Sequence, residues 1–309
     1  MEKHIISNYH FNRITQIQLI KKDKVHVYRL MNDNEVYYFR VYDKDKSHEK
    51  LLKEVQVLEY LSSKLHHVER VIRAKNGENI LRLEDDKLAV LYKEVKGQVD
   101  LEPSDEKLIS LVSDLKKIHH DLLEIEHIKY DFFNIDQGLK AFINDKLDLS
   151  EDALILYNKI LDFYKENQIR YKLLFNIGIC HGDLHLENVL FDNEKAGLID
   201  FDYVCKTYQV YDLATLIWTI MPRNNNQPVT SIRDKCRLMI DQYLGVKDKD
   251  YPEKSNLIYG MILVRHIWRQ WIRVDYKEFQ SDHEMNQMFI YQAGVMKKWI
   301  DDFEIQLES

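Results

Sequence analysis

The sequence predicts an α+β protein, with a small β-rich N-terminal lobe over residues 1–95 and a larger, mainly helical C-terminal lobe over residues 96–309. Three observations carry this. β-forming residues recur between turn signals through the first ninety positions, around a single helical stretch. After Gly97 the apolar spacing becomes helical over most of the remaining chain. The composition is globular, with 45% apolar and 31% charged residues and only 9 Gly and 4 Pro among 309.

The elements follow in order. Val25–Met31 and Glu35–Tyr42 are strands joined by the turn Asn32-Asp33-Asn34, a hairpin. Alternation puts Val36, Tyr38, Arg40 and Tyr42 on one face and Tyr37, Phe39 and Val41 on the other. Ser47 opens a helix in which Leu51, Leu52, Val55, Leu58 and Leu61 recur at helical spacing, with Glu54 among them. Val68–Ala74, Asn79–Glu84 and Lys87–Val95 read as further strands, Asn76-Gly77 turning the first pair, and Lys93–Gly97 is the connector. Beyond it, Pro103-Ser104 caps an amphipathic helix over Glu106–Leu123. Helical periodicity covers Asp136–Lys146, Asp152–Asn167, Tyr211–Met221, Ser231–Tyr243, Ser255–Asp275 and Asp282–Leu307, with a strand-like passage at Gly178–Asp202. A cleft between two lobes is a common place for a ligand.

Charge and cysteine usage narrow the function classes. A formal net charge of -7 opposes binding to a phosphate backbone, which needs a basic face. It suits a cationic substrate. Cys180, Cys205 and Cys236 are an odd, sparse set, as expected of a reducing, cytoplasmic setting. The N-terminal residues show no secretory pattern, and the apolar run Leu213–Met221 is too short to span a bilayer, so no membrane partner is expected.

The densest chemical signal is Ile179–Tyr203, which contains His181-Gly182-Asp183-Leu184-His185-Leu186-Glu187-Asn188 and, after a short turn, Asp200. Strand-like Asn188–Phe191 and Gly197–Phe201 flank the turn Asp192–Lys195, which places Asn188 and Asp200 together at the open end of a hairpin, close to Asp183. Phosphoryl transfer uses such a set. One carboxylate, Asp183, orients the attacking hydroxyl and takes its proton, while Asn188 and Asp200 offer oxygen ligands to Mg²⁺. His181, Asp183 and His185 could instead hold Zn²⁺ or a metal pair in a hydrolase.

His-Gly-Asp-Leu-His, then Asn188-Val-Leu-Phe, then Gly197-Leu-Ile-Asp-Phe-Asp-Tyr and Tyr211-Asp-Leu-Ala resemble the aminoglycoside phosphotransferase and choline kinase superfamily. Those are small-molecule kinases with a protein-kinase-like, two-lobed fold. The resemblance is specific over Cys180–Leu216 and follows the order of elements elsewhere. It implies Asp183 as the catalytic base, Asn188 and Asp200 as magnesium ligands, His181 as a loop-orienting residue and Asp212 as a brace of the catalytic loop. It further implies that Arg40 is the phosphate-binding cation, fixed by Glu54 of the following helix. The segment Leu91–Val95, including Tyr92 and Val95, takes the place of the purine-binding hinge. The co-substrate would be ATP or GTP with Mg²⁺, and the second partner a small hydroxyl-bearing acceptor.

The sequence departs from the kinase pattern at the phosphate-covering turn. Lys21-Lys22-Asp23-Lys24 contains no Gly, and with Arg40 in place of Lys it suggests a nucleotide-binding pseudokinase or regulatory module as an alternative. On the acceptor side, Asp202 and the pair Trp268 and Trp271, three apart on one helix, would favour a cationic acceptor such as an aminoglycoside or an amino-alcohol. The same rings also fit the core stripe of an amphipathic helix. His119 and His120 suit a helix C-terminus better than a metal.

Overall fold

The alternation along Glu35–Tyr42 orients the first sheet. In the computed structural model, which describes residues 2–11, 13–23, 25–83, 86–125, 128–222, 229–245, 248–275 and 278–307, Tyr37, Phe39 and Val41 enter an apolar core with Leu30, Ala89 and Leu91. Contacts divide the chain into two compact units. One gathers residues 1–100, 124–129 and 187–204, and the other 101–123, 130–186 and 205–309.

The first unit begins with helix α1 (Glu2–Asn8) and strands β1 (Gln16–Lys22), β2 (Val25–Asn32) and β3 (Glu35–Tyr42). Helix α2 (His48–Ser63), β4 (Arg70–Ile72), β5 (Leu81–Arg82), β6 (Leu88–Lys93) and β7 (Gln98–Val99) follow. The antiparallel sheet runs β1-β2-β3-β6-β4, and β5 also pairs with β6. Ile5 of α1, with Tyr9, Phe11 and Ile14, joins the core on the Tyr37–Phe39 side. Neither α1 nor β1 is anticipated by the sequence pattern. β1 is exposed along nearly its whole length, so burial imposes no alternation on it. The expected pairing of Val68–Ala74 with Asn79–Glu84 is corrected: β4 and β5 each pair with β6, not with one another. Glu84 lies outside the described residues. The Ser47 hydroxyl accepts from the Lys50 N–H at 3.5 Å, and Leu51, Glu54, Val55, Leu58 and Leu61 are the buried stripe of α2.

The second unit is mainly helical. Ser104 caps α3 (Asp105–Leu122), and α4 (Leu139–Lys146), α5 (Glu151–Glu166), α6 (Gln168–Leu174) and strand β8 (Ile177–Cys180) follow. The chain then supplies the hairpin β9 (Val189–Asp192) and β10 (Lys195–Leu198) to the first unit, where β9 also pairs with β7. It returns as β11 (Cys205–Tyr208), α7 (Val210–Ile220), α8 (Val229–Leu244), α9 (Tyr251–Asp275) and α10 (Asp282–Asp302). β11 pairs antiparallel with β8, putting Cys205 opposite Cys180, and the thiols of Cys180, Cys205 and Cys236 are free. Helix α7 is buried almost throughout, which is why its sequence is apolar on every side. The last helix stops at Asp302 and not at Leu307. Glu304 takes a φ of 54°, and the Ile305 N–H turns back to the Ile300 carbonyl at 3.0 Å, closing the helix. No helix among the described residues is long and apolar enough to cross a membrane.

Candidate active site

Within the first unit, β1, β2 and β3, the segment after β6, and the β9–β10 hairpin enclose a cavity of about 480 Å³. Its apolar lining includes Val25, Val27, Val95, Leu190 and Ile199, and its charged lining includes Arg40, Glu69, Asp200 and Asp202. Gly97 forms part of the wall at a φ of 131°, and a Cβ there would meet the Phe191 carbonyl carbon at 2.8 Å. Only glycine lets the connector pass so close to β9. Of the basic turn, Lys21 lines the cavity beside Ile20, although strand neighbours normally face opposite ways. A bulge between Leu19 and Lys21 in β1 accounts for it by adding a residue to the ladder. Lys24 lies outside the described residues.

Arg40 reaches this cavity from the middle of β3, and its carboxylate partner is not the expected Glu54. Arg40 Nη2 donates to Glu69 Oε1 at 2.5 Å, and Nη1 stands 3.8 Å from Asp200 Oδ1. Glu69 Oε2 also accepts the Asp200 N–H at 3.0 Å, and so holds Asp200 in its left-handed conformation, φ 64°. A bridge between Val68 and Leu198 brings Glu69 to this place. Burial pushes the Glu69 carboxyl up, against the opposing pull of Arg40 and the Asp200 N–H. Asn188 is buried just before β9, and its carbonyl accepts the Ile199 N–H at 3.1 Å, so the backbone ties Asn188 to the residue preceding Asp200.

Glu54 serves a second cluster. It receives Lys46 Nζ at 3.3 Å and the Tyr92 hydroxyl at 3.0 Å. Lys46 also reaches Asp202 Oδ1 at 3.4 Å. Burial, helped by the Asp202 carboxylate, pushes Glu54 up to about 8 against the pull of Lys46 and Arg40. Tyr92 is fully buried, with the Arg40 guanidinium 4.7 Å from its ring centre. Its side chain is therefore a platform for Arg40 and not part of the cavity lining, whereas Val95 does line the cavity. Sequence reasoning missed Lys46 and Glu69.

In the second unit, Asp212 of α7 is fully buried and braces the loop after β8. Its Oδ2 accepts the His181 N–H at 2.7 Å and its Oδ1 accepts the Gly182 N–H at 2.9 Å. Gly182, at φ 84°, allows both amides to face one carboxylate. His119 Nε2 lies 3.0 Å from Asp212 Oδ2, and His119 Nδ1 lies 2.8 Å from the Tyr243 hydroxyl. Burial works to raise Asp212, but the His119 contact and the amides hold it below the usual carboxylate range. Among the described residues the one group close enough to hold a metal is His119, Cys180 and Asp212, and its imidazole and carboxylate already engage these partners. The His181–Asp183–His185 grouping of the hydrolase alternative does not form such a cluster. His181 Nδ1 instead lies 3.3 Å from the Asp183 N–H.

Asp183 has a guanidinium against it. Arg265 Nη2 on α9 donates to Asp183 Oδ1 at 2.5 Å, and His185 Nε2 lies 3.4 Å from Oδ2. Burial would raise this carboxyl, yet His185 and Arg265 together hold it below its usual value. The same arginine changes the reading of the tryptophans. The face of Trp268 carries the Arg265 guanidinium, 4.6 Å from the ring centre, and Phe133 packs edge-on against that ring. Trp271 is half-buried, and no ring contact joins it to Trp268 among the described residues. The aromatic face expected to hold a substrate cation thus already holds one from this chain, and Asp202 likewise already faces Lys46.

Over residues 17–235 the sequence matches the phosphotransferase enzyme family. The chain belongs to this family. It is a phosphotransferase of the small-molecule kinase type. An amicoumacin kinase of Bacillus subtilis (strain 168) is 21% identical over 272 residues, covering 84% of this chain and 77% of that protein. Among solved structures, an amicoumacin kinase in complex with AMP-PNP, Ca²⁺ and Ami superposes with a TM-score of 0.72 at 16% identity, covering 96% of this chain and 92% of the other. A microcompartment-associated aminopropanol kinase also reaches a TM-score of 0.72, at 14% identity and 98% coverage of both chains. These likenesses establish the protein-kinase-like fold for this phosphotransferase.

Proposed function

We propose that this phosphotransferase moves the γ-phosphoryl group of ATP or GTP to a hydroxyl of a small acceptor. The observation that carries the reading is the cavity of the first unit, where an apolar lining suited to a purine meets Arg40 and Asp200. Arg40 is charged at every working pH and can grip a phosphate with two nitrogens. Asn188 and Asp200 offer the hard oxygen ligands that Mg²⁺ prefers, and Asp200 keeps 42% of its side chain accessible while its backbone is pinned. Bound there, Mg²⁺ would supply charge neutralisation to the phosphates.

The acceptor hydroxyl is activated by Asp183. Its oxygen forms the new bond to the γ-phosphorus as the bond to the β,γ-bridging oxygen breaks. The hydroxyl proton passes to the Asp183 carboxylate, and the nucleoside diphosphate leaves with the bridging oxygen. A carboxylate held below its usual pKa is ionised and ready before the acceptor binds. His181 and Asp212 keep the loop in shape. The named relatives act on amicoumacin and aminopropanol, and an acceptor of the aminoglycoside or amino-alcohol class is the natural first set to test. Recognition of its amine would fall to groups other than Trp268 and Asp202, which face Arg265 and Lys46.

The test is a screen of ATP and GTP consumption, with Mg²⁺, against hydroxyl-bearing metabolites and aminoglycosides. Asp183→Asn should lose nearly all transfer while still binding nucleotide. Full activity in that variant, or no nucleotide binding by the wild type, would overturn the reading.

A further inference from the structure

Arg265 is only 1% exposed, and it lies between two indole rings. Its guanidinium carbon is 5.1 Å from the centre of Trp218 on α7 and 4.6 Å from that of Trp268 on α9. Nη2 meets Asp183 at 2.5 Å, while Nε and Nη1 are buried without a hydrogen-bond partner among the described residues. This is a costly arrangement if it serves packing alone. A guanidinium cannot shed its proton to escape burial, and an apolar side chain would fill the space between two rings without stranding two donors. A buried charge tolerated on these terms calls for an explanation in chemistry.

The geometry supplies one. Stacking on both sides confines the guanidinium, since each ring attracts the cation through its face. Arg265 and Trp268 are three apart on α9, so the helix itself sets this stack. A clamped guanidinium in turn fixes the carboxylate it touches. We propose that Arg265 is the positioning residue of this reaction: held by Trp218 and Trp268, it captures Oδ1 of Asp183, so that Oδ2, which His185 Nε2 faces at 3.4 Å, is the oxygen that receives the acceptor's proton. The inference rests on the assignment of Asp183 as base. It adds an outer layer to the site, since Arg265 acts through Asp183 and touches neither reacting atom. Tyr211, His181 and His185 also face Asp183 electrostatically, but none of them is a fixed charge.

The test compares wild type, Arg265→Lys and Arg265→Met, reading phosphate release from magnesium ATP and magnesium GTP with water in place of the acceptor hydroxyl. Methionine fills the space between the rings without charge. It should lower kcat about 100-fold, the penalty of a misplaced catalytic group, while the nucleotide KM stays within about twofold of wild type. Lysine restores the charge but not the planar fork, and should recover kcat only to about tenfold below wild type. A methionine variant with kcat within about threefold of wild type would overturn the proposal, as would a folded lysine variant no better than methionine. Should methionine fail to fold by circular dichroism, the lysine variant decides alone: a kcat within about twofold of wild type sinks the idea, and a loss near tenfold at unchanged KM upholds it. If the wild type itself releases no phosphate, the functional reading has failed, and not the role of Arg265 within it.

Discussion

Glu69→Ala tests the architecture of the first unit's cavity most directly. The wild-type carboxylate has two duties, one on Arg40 at 2.5 Å and one on the Asp200 N–H at 3.0 Å. The Arg40 and Glu69 side chains are only 11% and 6% exposed. Stripping one partner from a buried ion pair leaves an uncompensated charge and costs about 3–5 kcal/mol. Asp200, 3.8 Å from Arg40 and partly accessible, offsets some of this, which favours the lower end of the range. The Asp200 amide also loses its acceptor, adding about 1 kcal/mol. The expected loss is therefore about 4 kcal/mol. Glu69→Gln keeps its one carbonyl oxygen for the Asp200 amide but turns its NH₂ group toward Arg40, so it spares only the amide and about 3 kcal/mol is expected. Urea denaturation followed by far-ultraviolet circular dichroism is the suitable assay. Trp218, Trp268, Trp271 and Trp299 all belong to the second unit, and their fluorescence would not report this site. A loss below about 1 kcal/mol for alanine, or equal losses for alanine and glutamine, would refute the reasoning.

Other substitutions probe other layers. Glu54 has a folded pKa of about 8 against an ordinary 4.5, so its contribution to stability is fully present below the ordinary value and is lost as pH rises through about 8. Glu54→Gln carries no such titration, and its melting temperature should gain on wild type between pH 5 and pH 8; a constant gap would contradict this. Gly97→Ala forces a Cβ onto the Phe191 backbone at positive φ and should cost about 1–3 kcal/mol while raising the nucleotide KM, as measured by denaturation and steady-state kinetics. His119→Phe removes a partner from both Asp212 and Tyr243, and should destabilise the second unit by about 2–3 kcal/mol with a matching loss of kcat, here visible by tryptophan fluorescence.

What could be read in advance was whatever periodicity or spacing records. The alternation of β3 located Arg40 opposite the core face, and the Ser47 and Ser104 caps marked the starts of α2 and α3, the latter one residue before the expected Glu106. The stretch from His181 to Asp200 carried the family resemblance in the order of its residues, and the family match includes it. The missing parts are pairings across long sequence separation. Glu69 meets Arg40 across 29 residues and Lys46 meets Asp202 across 156, and nothing in either neighbourhood announces the partner. Tyr92 belongs with these, since it lies opposite Tyr38 on the Arg40 face of the sheet through a cross-strand register that no local pattern records. Arg265 stood in plain view, three residues before Trp268. The tryptophan pair drew attention to a substrate cation when the cation was already written beside it.

The contact between Arg40 and Asp200 has a bearing on the order of events in the first unit. At rest, the guanidinium already has two carboxylates of its own chain for company, Glu69 and Asp200. A polyphosphate arriving alone must win Arg40 away from Asp200, and a divalent ion arriving alone must win Asp200 away from Arg40. Arriving as a complex, each accepts the partner that the other releases. In the proposed reaction, loading would be an exchange of counter-ions, and by linkage the metal and the nucleotide would strengthen one another's binding by the same factor.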